Sequence, residues 1–368
     1  EFRRVLFRSG EVIEVGVLEG VASTTIKKLH KAGLATLESI AVTPPREIVA
    51  LTGMGVDTAI KVNTLARLKV DPGFVSATEL LETRSHMMRS RTGSSEFDRI
   101  MGGGIETGVI TEFIGEFGSG KTQICYTLSV LAQRPVAEGG LGGRVCVIDT
   151  EGTFLPERIK QIAESRGYDA QEILGNVMIA RAYNSEHQIM LVKSLPKIAQ
   201  EHDIKLVIVD SMIGHFRGEY IGRGTLAERQ QKIAGVLGNL LRVAEAFNLS
   251  VVLTNQVQAK PDASYGDPNR PAGGHVMAHA CTHRVYLRKG RQNTRLVQVI
   301  DSPYLPEEKI RIAVTAAGIC NEDETTNMEY DPDFYATSEE PEEFSLEEEP
   351  TKAPEELNVE LDEINLDE

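Results

Sequence analysis

With 368 residues, 41% of them apolar, the chain is long enough for one large domain and a small one, and no apolar run approaches the ~20 residues of a membrane span. Its four cysteines, Cys125, Cys146, Cys281 and Cys320, form no CxxC pair, which argues against a disulfide framework or zinc site and for a reducing, cytoplasmic setting. The net charge of −15 divides unevenly: residues 321–368 hold 20 acids against Lys352 alone, leaving 38 Lys and Arg against 34 Asp and Glu elsewhere, so a mildly basic body, suited to a nucleic-acid partner, carries an acidic segment.

Residues 1–9 lack an initiator Met, and Arg3 to Ser9 can be encoded by a common sequencing adapter. They are expected to be non-native and are set aside. Residues 10–70 read as a small all-α domain. Helices are expected over 24–32, closed by Gly33, over 45–51 after Pro44, and over 58–68. Between the last two lies Gly53-Met54-Gly55, a turn that resembles a helix-hairpin-helix, whose backbone N–H groups can meet a DNA phosphate. An αα-hairpin that merely packs reads the same way. Residues 71–88 read as a linker broken at Asp71-Pro72-Gly73. Phe74 is a lone apolar residue there and needs a pocket somewhere, on its own domain or another.

Residues 89–321 alternate strands and helices. Strands are expected at 109–114, 144–149, 206–210, 250–254, 284–288 and 296–301, giving an α/β core with a mostly parallel sheet covered on both faces. The first strand runs into Gly115-Glu116-Phe117-Gly118-Ser119-Gly120-Lys121-Thr122, a phosphate-loop pattern, and a helix follows from Gln123. The glycines turn backbone N–H groups toward phosphate oxygens, Lys121 neutralises charge, and Thr122 offers a hydroxyl to magnesium. Asp210 ends another apolar strand, where an acid can support the metal. Glu151 ends a third, placed to orient or deprotonate water attacking a γ-phosphate. Gln256 ends a fourth and can feel that phosphate by hydrogen bond. Residues 215–232 form a basic stretch with Arg217, Tyr220, Arg223 and Arg229, suited to phosphates and bases. Residues 258–275, from their Gly, Pro, Asp and Ser content, read as a further loop, which holds Lys260 and Arg270. Residues 322–368, acidic and interrupted by four prolines, read as disordered.

Together these segments resemble the RecA-like strand-exchange recombinases in their archaeal form. The resemblance rests on the phosphate loop, Ile148-Asp149-Thr150-Glu151-Gly152-Thr153-Phe154, Gly222-Arg223-Gly224, Ala227-Glu228-Arg229-Gln230, Thr254-Asn255-Gln256-Val257 and Asp301-Ser302-Pro303. It covers roughly residues 15–320; the acidic segment is a departure. It implies an ATP- and Mg2+-dependent recombinase, a DNA-dependent ATPase that forms helical filaments on single-stranded DNA, samples duplex DNA and exchanges strands. Recombination mediators are implied partners. Arg158 matches an arginine that stacks near adenine, and residues 301–306, with Asp301, Pro303 and Pro306, match a cap laid over ATP by a neighbouring subunit. Acids of that stretch help bind a monovalent cation such as K+ in family members. Phe74 and Ala77 match a Phe-x-x-Ala hook that enters the next subunit. A non-exchanging paralogue that regulates recombination and a hexameric RecA-like motor are the alternative readings.

Overall fold

The computed structural model describes residues 18–34, 36–70, 74, 76–222, 224–259 and 269–327. The adapter-like residues 1–9, the break at 71–73, Arg223, Lys260 and the acidic segment from 328 onward lie outside the described residues.

Four helices come first: α1 (Ser23–Lys31), α2 (Leu37–Val42), α3 (Pro45–Thr52) and α4 (Val56–Val70). They enclose their own core of Leu29, Ile40, Ile48, Val62 and Ala66. The sequence reading lacks α2, though Thr36 and Ser39 mark its start with a reciprocal capping pair. Buried Asn63 closes the other end, its amide donating to the carbonyls of Ile40 and Thr43 at 2.8 and 2.9 Å. Gly53 ends α3 in the left-handed region, at φ 65°.

The expected linker is not bare chain. It carries α5 (Ala77–Arg84). The signal was Ser76-Ala77-Thr78-Glu79, a capping box: Ser76 Oγ accepts from Glu79 N at 3.1 Å, and Glu79 Oε2 accepts from Ser76 N at 2.8 Å. Then follow β1 (Arg89–Ser90), α6 (Ser95–Ile100), β2 (Ile105–Glu106), β3 (Ile110–Gly115), α7 (Lys121–Leu131), β4 (Arg144–Asp149), α8 (Pro156–Ser165), α9 (Ala170–Gly175), β5 (Val177–Arg181), α10 (Ser185–His202), β6 (Ile204–Asp210), α11 (Gly214–Glu219), α12 (Leu226–Phe247), β7 (Ser250–Ala259), β8 (Asn269–Pro271), α13 (His275–Ala280), β9 (His283–Lys289), β10 (Thr294–Asp301), β11 (Lys309–Thr315) and β12 (Gly318–Asn321).

The main sheet runs β12-β11-β10-β9-β3-β7-β6-β4-β5, with β8 paired to β7. From β9 to β5 every pairing is parallel; β10, β11 and β12 form an antiparallel flank. All six residues of β3 are buried, as a parallel strand covered on both faces requires. One face packs on α7 and α8 through Ile124, Leu128, Ile159 and Ile162. The other packs on α10 and α12 through Val192, Leu195, Leu237 and Leu240. The helical domain meets this second layer, where Arg242 Nε donates to Val42 O at 3.0 Å. A short 3-10 turn, Glu322–Asn327, occupies the start of the segment expected to be disordered, pinned by Asn321 Nδ2 donating to Glu324 Oε1 at 3.0 Å.

Candidate functional site

Parallel strands bring their C-terminal ends to one edge, the usual place for a ligand crevice in an open α/β sheet. Register fixes the neighbours here. Gly115 at the end of β3 lies opposite Gln256 of β7, and Asp149 of β4 lies opposite Asp210 of β6. Lys121, Thr122, Glu151, Asp210 and Gln256 therefore meet at one edge although 135 residues of chain separate the first from the last.

The loop between β3 and α7 has the shape of an anion cradle. Gly118 and Gly120 adopt φ of 74° and 102°, which non-glycine residues rarely reach. A Cβ on Gly115 would stand 2.5 Å from both Leu287 O and Ser119 Oγ. Ser119 is 1% exposed, and its hydroxyl has no hydrogen-bond partner among the described residues. Lys121 Nζ folds back to donate to Gly115 O and Glu116 O at 3.0 and 2.9 Å. Burial lowers its pKa, opposed by Asp210 and Glu151. A desolvated ammonium, an unpartnered hydroxyl and a helix N-terminus together fit an anionic phosphate. Phe117 stands out at the loop tip, 95% exposed.

Around the cradle the acids differ in role. Asp149 is a structural acid: its carboxylate accepts from the backbone N–H groups of Glu151, Gly152 and Phe154 at 3.0, 2.7 and 3.2 Å. That holds the turn presenting Glu151, which stays exposed and accepts from Gln256 Nε2 at 3.2 Å. Asp210 is 5% exposed and accepts from the Thr254 hydroxyl. Burial raises its pKa, while hydrogen bonds from Thr254 and Thr122 pull the other way. A divalent cation beside Thr122 and Asp210 would satisfy that buried carboxylate. No cluster of three or more His, Cys, Asp or Glu suited to a metal occurs among the described residues, so such an ion would depend on phosphate oxygens and water for its other ligands.

Two residues of this edge have altered or new readings. Arg158 is 4% exposed; its guanidinium donates to Gln123 Oε1 at 2.9 Å, Ala316 O at 3.0 Å and Thr315 O at 2.6 Å. Its nitrogens thus anchor the β11–β12 turn. Arg295, which the sequence reading misses, lays its stem within 3.3 Å of where a Gly120 Cβ would sit, with Nε buried and unpartnered among the described residues. No spacing rule points to it; only the pairing of β10 with β9 brings it to the loop.

The basic stretch also departs from expectation. Residues 214–219 are helical, so the first loop is a short connection between α11 and α12. Arg217 is exposed on α11. Tyr220 accepts from Lys232 Nζ at 2.6 Å, and that ammonium lies 5.1 Å from the ring centre. Arg229 is half-buried, its Nε unpartnered among the described residues. Residues 257–259 extend β7 and pair with β8, placing the backbone of Arg270 opposite Gln258. Both segments leave from the phosphate edge.

The expected cap and hook lie elsewhere. β10 runs antiparallel to β9, pairing Arg295 with Lys289 near the phosphate loop and Asp301 with Arg284 far from it. On β3, Gly115 lies opposite Leu287 of β9 and Glu112 lies opposite Arg284. Asp301, Pro303 and Pro306 are therefore exposed at the opposite edge of the sheet, roughly 10 Å or more of strand from the cradle. They cannot cover their own chain's loop. Phe74 is fully exposed and Ala77 is exposed beside it.

The family model Rad51 matches residues 83–322. Among curated proteins, the DNA repair and recombination protein RadA of Cenarchaeum symbiosum (strain A) is 43% identical over 320 residues, which is 85% of this chain and 80% of that relative.

Proposed function

This chain belongs to the Rad51 family, and from that premise we propose that it is an ATP-dependent DNA recombinase working as a head-to-tail filament. ATP binds in the 115–122 loop, with Lys121 and the α7 N-terminus on its phosphates and the Ser119 hydroxyl as a further donor. Magnesium, held through Thr122 and Asp210, would neutralise phosphate charge during transfer. Glu151 accepts the proton of the attacking water, and its hydrogen bond to Gln256 is broken or remade as the γ-phosphate comes and goes. Since β7 continues directly from Gln256 toward β8, that exchange reaches the second DNA-facing segment. Arg217, Tyr220, Arg223 and Arg229 contact DNA on the first, with Lys260 and Arg270 on the second; Lys232 joins them through Tyr220.

The observation that carries this reading is the separation of edges. A nucleotide loop at one end of the sheet and the 301–306 turn at the other cannot complete one another within a chain, and Phe74 is left exposed. Stacked copies can, and a heterologous contact of that kind propagates as an open helix. The filament tests identity by base pairing, so the protein needs only backbone contacts to DNA. The helical domain of residues 18–70 presents the Gly53–Gly55 turn as an auxiliary phosphate contact. A monovalent cation beside Asp301 is the finer expectation at the cap. The test is joint-molecule formation between single-stranded DNA and a homologous duplex with ATP and magnesium. ATPase activity that unwinds duplex but yields no joint molecules would favour a ring-shaped motor instead.

A further inference from the structure

We infer that Glu106 is the positioning residue of the intersubunit cap: it fixes the 301–306 turn in the shape a neighbouring copy meets and ties that turn to the helix following Phe74. This rests on the proposed reading of residues 301–306 as a cap acting between copies.

Glu106 is 1% exposed on β2, at the edge away from the phosphate loop. Its carboxylate takes three donors. Oε1 accepts from Arg84 Nη2 at 2.8 Å; Oε2 accepts from Arg89 Nη2 at 3.3 Å and from the Tyr304 hydroxyl. His283 Nε2 lies 3.8 Å from Oε2, and the imidazole stands edge-on to the Tyr304 ring at 5.3 Å. The other imidazole nitrogen, Nδ1, meets Ser302 Oγ at 3.1 Å, and that oxygen accepts the backbone N–H of Leu305 at 3.0 Å. A tautomer with the proton on Nε2 satisfies both contacts, Ser302 donating to Nδ1.

Carboxylate, imidazole, serine and turn backbone thus form one connected network on the inner side of the cap. The outer side is presented: Tyr304 is 47% exposed and Pro303 and Pro306 are exposed. Arg84 closes α5, whose first residue lies three positions after Phe74. Hook segment and cap are held by the same carboxylate. A buried carboxylate with two arginines adds little stability over apolar packing, but it fixes the orientation of each donor it receives. No part of the network touches the chain's own nucleotide loop, so its effect on ATP must be felt in the adjoining copy.

The experiment uses mixed filaments of the full chain. Glu151→Gln copies, which bind but do not hydrolyse, are placed in large excess over wild type, so that each active site is capped by an inactive copy. Adding Glu106→Gln to the excess copy should raise the KM for ATP of the residual activity about fivefold, the net worth of one hydrogen bond, with kcat little changed. Tyr304→Phe, which removes only the hydroxyl, should move KM the same way and guards against a misfolded Glu106 variant. A purely structural role within one chain would leave the wild-type copies' KM where it was. If Pro306→Gly in the excess copy raises KM while Glu106→Gln and Tyr304→Phe do not, the positioning role is wrong and the cap stands. If none of the three raises it, the cap reading itself falls, and this inference with it.

Discussion

Single side chains at the sheet edge of the 115–122 loop are expected to divide into those that bind nucleotide and those that turn it over. Lys121 is the sole lysine of its loop, and its ammonium is already desolvated and turned onto loop carbonyls that phosphate oxygens would replace. Lys121→Ala should abolish nucleotide binding and, with it, joint-molecule formation; fluorescent-nucleotide titration of the folded variant retaining normal affinity would remove the loop from the site. Glu151 is different, being exposed and accepting a hydrogen bond from Gln256, the residue proposed to sense the γ-phosphate. Glu151→Gln should keep ATP affinity and filament assembly while kcat falls about a hundredfold or more. An unchanged single-turnover rate would place the base elsewhere. These residues were legible because each sits at a strand end in a short local pattern. Arg295 was not, since it owes its place to a hairpin between β9 and β10, and nothing in the helix of Arg158 shows that the β11–β12 turn folds over it.

At the scale of elements, β6 was legible and β5 was not. β6 carries Leu206-Val207-Ile208-Val209 and declares itself; β5 has alternating partial exposure at the sheet margin, a pattern too short to separate from a loop. α5 was missed because the residues before it looked like a break, although its capping box was present. That helix matters for the hub it reaches. Glu106 is buried, which alone would raise its pKa, but the contacts of His283, Tyr304, Arg89 and Arg84 bring it down from 4.5 to about 2. A folded pKa below the unfolded value means that the charged form stabilises the fold. The contribution is whole above about pH 4.5 and disappears as pH falls through about 2. Unfolding free energies of wild type and Glu106→Gln from urea titrations should therefore differ most at neutral pH, by on the order of 3 kcal/mol, and converge as pH falls toward 2. A gap that stays constant over that range would mean the carboxylate's charge is not what these donors hold. Phe74, ahead of α5, belongs with this hub: Phe74→Glu should leave the melting temperature alone and give monomers or short oligomers, because a carboxylate entering an apolar pocket is heavily penalised. Long filaments of that variant by electron microscopy would end the hook reading.

Over the whole molecule, charge is arranged against the expected ligand. Residues 328–368 hold 17 acids and Lys352 as their one base, on a chain whose remainder is close to neutral, with 38 Lys and Arg against 37 Asp and Glu. The segment after β6, proposed to face DNA, carries Arg217, Arg229 and Lys232, and a polyanion on the same chain would meet such groups at a high effective concentration, as a covalently linked competitor for phosphates. Phe334, Tyr335 and Phe344 give it aromatic groups that can take the place of stacked bases. Duplex DNA, the weaker ligand before pairing, should be displaced more readily than single strands. Removing residues 328–368 is accordingly expected to tighten DNA binding at low salt, duplex most of all. The difference should fade as the Debye length shortens toward 3 Å near 1 M salt, because competition between two polyanions for one basic surface is electrostatic on both sides. The full chain should also show a shallower dependence of log Kd on log salt than the truncated one, since screening weakens the competitor together with the ligand. Filter binding of both chains to single- and double-stranded DNA across a salt series reads all three effects. Identical curves for the two chains would assign the acidic segment to solubility or to docking of a partner, and would leave DNA binding to the body of the protein alone.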